Sequence, residues 1–174
     1  KVLRDGVKYF QSNTNDSFVM SQIIEEEDTT DHYEDILGTY LVKLSSHQIG
    51  DNESTQVTKL LHIINDYERI ADHGVNMVYA ADQLQKQDLG ISESALKELD
   101  VLVAAINEIL DLSLETFVNN DIEKAKLVEP LEQVIDKLKE KMRAKHILRL
   151  QQGECSIKSG FIWADLLTDL ERVA

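Results

Sequence analysis

The chain is short of the residues that punctuate β-structure and of those that staple small domains. One proline and seven glycines in 174 residues leave too little turn chemistry for a fold of many short strands. The single cysteine, Cys155, has no second thiol in the chain to pair with, so a reducing, cytoplasmic compartment is the simplest expectation. No apolar run approaches the roughly 20 residues that a membrane-crossing helix requires, and no signal peptide is visible. Basic residues number 18 against 32 acidic ones, a formal charge of −14 that repels nucleic-acid phosphates and anionic lipid heads. Nucleic acid is thereby set aside as a partner, and cations become the natural counterpart of the surface. A P-loop, a dinucleotide fingerprint, a G-x-S-x-G element and a Cys/His zinc pattern are missing as well. His32, His47 and His146 form no E-x-x-H pair of the kind a ferritin-like dimetal oxidase uses. With no nucleophile in view, an enzyme is not expected.

What remains is helix-forming material. Apolar residues make up 43% of the chain, enough to bury a core in one domain or in two small repeated halves. Leu, Ile, Ala, Glu, Lys and Gln favour helix locally. Asp16, Ser92 and Asp121 read as N-caps, with Asn52 or Ser54 as another. These signals predict six helices, near 1–13, 16–48, 54–87, 92–119, 121–150 and 156–174, hence an all-α fold. The chain opens at Lys1 without a Met and stops at Ala174 inside a running helix. Both ends read as cuts from a longer chain, one that could carry a membrane segment.

The halves correspond in order. Phe10 and a polar turn lead to Asp16 in the first, and Phe117 and a polar turn lead to Asp121 in the second. Moving forward 105 positions from Asp16, Glu27 and Asp31 lands on Asp121, Glu132 and Asp136. After a loop two residues shorter in the second half, NDYERIA at 65–71 matches TDLERVA at 168–174. Self-similarity of this kind predicts two tandem three-helix bundles, 1–90 and 91–174, the second truncated in its last helix.

Carboxylates four apart on a helix share one face, so Glu27 with Asp31, Glu68 with Asp72, and Glu132 with Asp136 could each grip a cation. Chance alone supplies about six such acid pairs at this composition, and Asp31/Asp35, Asp111/Glu115 and Asp165/Asp169 read as accidents. The selected pairs differ in recurring at equivalent places of the repeat. Their glutamates also carry apolar residues at i−7 and i−4: Met20 and Ile23 before Glu27, Leu61 and Ile64 before Glu68, Ala125 and Val128 before Glu132, Ala164 and Leu167 before Glu171. Each therefore lies on or beside a stripe that should face other helices, where an ionised carboxylate is costly unless a cation compensates it. A metal would serve, and so would ion pairs to Lys43, Arg69, Arg143 or Arg172; the pattern leaves both open. All-oxygen donors suit Mg²⁺, Ca²⁺, Mn²⁺ or iron better than structural zinc. Asn65, Asp66 and Asn76 could add oxygens, although Asp66 projects nearly opposite Glu68.

The string NDYERIADHGVNM at 65–77, the shortened TDLERVA and the repeated E-x-x-x-D spacing resemble the PhoU-like family of phosphate-transport regulators. Within it, IINDYERIADH is most similar to the cytoplasmic C-terminal domain of bacterial sodium/phosphate cotransporters. The resemblance implies two three-helix bundles with multinuclear iron or zinc clusters. By position Glu27, Asp31, Glu68 and Asp72 would serve the first cluster, and Glu132, Asp136 and Glu171 the second. It further implies a regulator that contacts a phosphate-transport membrane protein or its own membrane domain; a second copy of the chain, in a homodimer, is the other partner considered. The rival reading is a metal-free helical interaction module whose acids answer basic residues of a partner.

Other residues read more plainly. His73 points about 100° away from Asp72 and is expected at the surface. Trp163 and Phe161 are expected as core anchors, and Cys155 is assigned no chemistry. Pro130 would either kink the fifth helix or mark an irregular start to it.

Overall fold

The structure, a computed structural model, describes residues 1–12, 14, 16–47 and 49–174. Its elements are all helices: α1 (Val2–Ser12), α2 (Ser17–Ser45), α3 (Asp51–Lys86), α4 (Glu93–Asn119), α5 (Ile122–Ala125), α6 (Val128–Gln151) and α7 (Ile157–Arg172). The expected ends of the first two helices fall on Asn13 and Gln48, outside the described residues. Two compact units divide the chain, 1–79 and 80–174.

Two sequence expectations need correction here. Six helices of 11 residues or more stand as expected among the described residues, but the fifth starts later than 121, at Val128, with the four-residue α5 split off before it. Pro130 is the third residue of α6, in the first turn, where a backbone N–H has no helical partner to lose. Proline therefore marks a helix start and no kink is required. Nor does Asn52 or Ser54 cap α3: the helix begins at Asp51, and Gly50 N donates to Glu53 Oε2 at 2.8 Å. The other caps stand as expected. Asp16 accepts from Phe18 N and Val19 N at 3.0 and 3.2 Å, Ser92 from Ala95 N at 3.3 Å and Asp121 from Lys124 N at 3.0 Å.

In the first unit α1 buries Val2, Leu3, Val7, Tyr9 and Phe10. Gly6 crosses Gly74 of α3 so closely that a Cβ on either would run into the other helix's backbone. Lys1 ion-pairs with Glu26, which marks how far along α2 the short α1 reaches. Beyond that level α2 buries only Leu41 and exposes a stripe at i, i+3, i+4 and i+7: Tyr33, Ile36, Leu37 and Tyr40. In the second unit the 27-residue α4 covers far more, with Leu99, Leu102, Ile106 and Ile109 packed into a core shared with Ile135 and Met142 of α6 and Trp163, Leu166, Leu167 and Leu170 of α7. Each such side chain contributes about 1.5–3 kcal/mol on leaving water. Among the described residues, no helix is long and apolar enough to cross a membrane.

Candidate functional site

α2 and α3 bring their predicted carboxylates together. Glu27 and Asp72 share a side-chain hydrogen bond between the two helices, and Glu68 and Asp72 share one along α3. Two carboxyl groups can share such a bond only if one of them keeps its proton. Glu27 is the clearest case: partial burial, the bond to Asp72 and the charges of Asp72, Asp28 and Asp31 push its carboxyl up to about 7. Glu68 is raised in the same direction, by burial first, then by Asp72, Asp31 and Glu34. The four residues named from sequence thus stand within electrostatic reach of one another. Asp28 and Glu34 join them. Sequence reasoning passed over Glu34 although it lies seven residues after Glu27 and three after Asp31, on the same helical stripe.

Such a cluster is a store of unfavourable charge that protons partly relieve and that a multivalent cation would relieve better. Its oxygen-only donor set fits a hard cation, and of the two metals that the resemblance implies it suits iron better than zinc. Among the described residues, no three His, Cys, Asp or Glu side chains close into a ready-made cage. Asn65, Asp66 and Asn76 are all exposed.

The second set is arranged differently. Glu132 and Asp136 lie on α6, half-buried and exposed, and Glu171 lies half-buried on α7. Against Glu171 stands Lys139, its Nζ 2.8 Å from Glu171 Oε2 and its side chain only 12% exposed. This cation was not among the four that sequence reasoning considered, and Arg143 instead faces Glu140 at 3.5 Å. A run of three lysines and an arginine within 137–143 held the signal, but which of them turns inward depends on where α7 packs.

Two smaller expectations changed, those for His73 and Phe161. His73 is buried, at 8% exposure, because α3 is covered on most sides where α1 crosses it. Trp163 is a core anchor at 1% exposure, whereas Phe161, two residues earlier on the opposite face of α7, is 70% exposed. Cys155 Sγ lies 3.9 Å from His146 Nδ1, and burial pushes the thiol above its ordinary range.

Fold and site together define a class: all-α proteins of packed helices in two compact units, with acidic side chains gathered where α2 meets α3. The chain belongs to the PhoU domain family, whose model matches residues 2–81 and again 100–174. It is 26% identical over 117 residues to the phosphate-specific transport system accessory protein PhoU homolog 1 of Thermotoga maritima. That match takes in 67% of this chain and 50% of the relative, so the chain spans half the relative's length. The crystal structure of PhoU from Pseudomonas aeruginosa superposes with a TM-score of 0.88 at 18% identity, over 99% of this chain and 81% of that one, a likeness of fold.

Proposed function

We propose that this chain is a non-catalytic regulatory domain of phosphate transport that binds metal ions through Glu27, Asp31, Glu68 and Asp72. The observation that carries the reading is the convergence of α2 and α3 carboxylates, where burial and the neighbouring acids Asp72, Asp28 and Asp31 disfavour the Glu27 charge and a cation would favour it. Family membership and a relative named as a phosphate-transport accessory protein supply the context. Iron or zinc is the metal implied by kinship, and of these iron, like manganese or magnesium, suits oxygen donors better than zinc does. A bound cation would supply positive charge that both helices share, so it stabilises only the arrangement in which Glu27 and Asp31 meet Glu68 and Asp72. The domain would act on a phosphate-transport membrane protein or on a membrane domain of its own longer chain. The wording at 65–77 favours the cytoplasmic tail of a sodium/phosphate cotransporter. Purified protein supplied with Fe²⁺, Mn²⁺ or Zn²⁺ should take up metal stoichiometrically, with a higher melting temperature, and lose both on Glu68→Ala with Asp72→Ala. Uptake unchanged in that double variant refutes the assignment.

A second reading, a metal-free interaction module, is favoured by the exposed stripe of Tyr33, Ile36, Leu37 and Tyr40 beside acidic Asp31, Glu34 and Asp35. Partner binding that weakens with salt but ignores chelators would select it.

A further inference from the structure

Positions 105 apart are equivalent in the two repeats, and this makes Glu34 of α2 the counterpart of Lys139 of α6. The matched strings at 65–71 and 168–174 likewise make Glu68 the counterpart of Glu171. In the first unit an acid therefore faces an acid. Glu34 stands close enough to Glu68 to disfavour its charge. In the second unit a cation faces an acid, with Lys139 Nζ bonded to Glu171 at 2.8 Å.

We propose that this one exchange of charge sign divides the repeats: the first set of carboxylates takes a multivalent cation, while in the second Lys139 is itself the cation, and Glu132, Asp136 and Glu171 take no metal. The inference rests on the metal-binding reading of the first unit. Its physical basis is local. A metal ion entering beside Glu171 would have to displace an ammonium that is 12% exposed and poorly screened by water, leaving that charge buried without its partner. Among the described residues of the first unit no cation is seen paired with Glu68, and the charges that raise its carboxyl, Asp72, Asp31 and Glu34, are negative. The second unit thus carries a fixed cation beside Glu171, and metal-dependent change is confined to α2 and α3.

The experiment is equilibrium dialysis of the full chain against Mn²⁺, read as bound metal per chain, on wild type, Glu34→Lys, Lys139→Glu and Lys139→Met. Lys139→Glu should bind about twofold more metal than wild type, Lys139→Met should also gain, and Glu34→Lys should lose uptake, as ligand sites gain or lose a competing charge. Lys139→Met keeps the side chain's length and apolar stem and tests the idea even if the charge reversal fails to fold. Equal uptake by wild type and both Lys139 variants overturns the inference. So does wild-type uptake that survives Glu68→Gln with Asp72→Asn and disappears on Glu171→Gln, an outcome that would leave metal binding standing but in the other unit. Absence of uptake in every variant overturns the proposed function as well.

Discussion

Glu27 shows how one residue's surroundings become a measurable pH dependence. Its carboxyl is raised from 4.5 to about 7 in the folded chain, chiefly by burial and then by the bond to Asp72. Between those values the folded state keeps a proton that the unfolded state has released. The stability this contributes is therefore complete below pH 4.5 and is lost as pH climbs through 7. In metal-free protein, Glu27→Gln should gain on wild type by on the order of 1 kcal/mol at pH 8, after allowance for solvent screening, and not at pH 4.5. Urea unfolding at the two pH values measures it, and a gain independent of pH would contradict the assigned shift. Gly6 makes a steric prediction at the same scale. Gly6→Ala would place its Cβ against the Gly74 carbonyl, backbone against backbone with no flexible side chain to yield. A loss of about 1–3 kcal/mol in urea unfolding is expected.

At the scale of the element, helix starts were the most legible features and helix breaks the least. Asp16 and Asp121 occupy matching places in the repeat and both accept backbone N–H bonds, so Asp16→Ala and Asp121→Ala should each cost about 1 kcal/mol. Asn52→Ala should cost almost nothing by comparison, because α3 has already begun at Asp51. Thermal unfolding of the three variants checks the contrast. The break between α5 and α6 was hidden in the sequence, since Lys126 and Leu127 continue the helical pattern and only Pro130, three residues on, marks the restart. Proline says that a backbone N–H is missing. Packing decides whether a helix begins there or bends.

For the whole molecule the dominant quantity is a charge of −14. Self-repulsion on this scale destabilises the compact state and is screened once the Debye length falls to about 10 Å near 0.1 M salt. Melting temperature should therefore rise with NaCl from 10 to 200 mM, and Mn²⁺ at millimolar concentration should raise it further at constant ionic strength. A divalent effect no larger than the matched monovalent one would reduce the acidic cluster to a solvated face. The apolar stripe on α2 belongs to this scale too: a 29-residue helix outruns the 11-residue one beside it, and one face past that end, Tyr33, Ile36, Leu37 and Tyr40, is exposed in the first unit.

From the residues alone came the all-α class, the tandem repeat, most helix starts and the pairs Glu27/Asp31 and Glu68/Asp72, because periodicity and spacing are local properties of a helix. Tertiary structure alone decided that Asp72 meets Glu27 and that Lys139 pairs with Glu171. Glu34 and Lys139 occupy equivalent positions in the repeat, and neither reads as important until α3 or α7 is laid beside it. A charge acquires its consequence from groups distant in the chain and near in space, at separations where burial strips away the screening water. Helical phase told which residues share a face, and only packing told what that face meets.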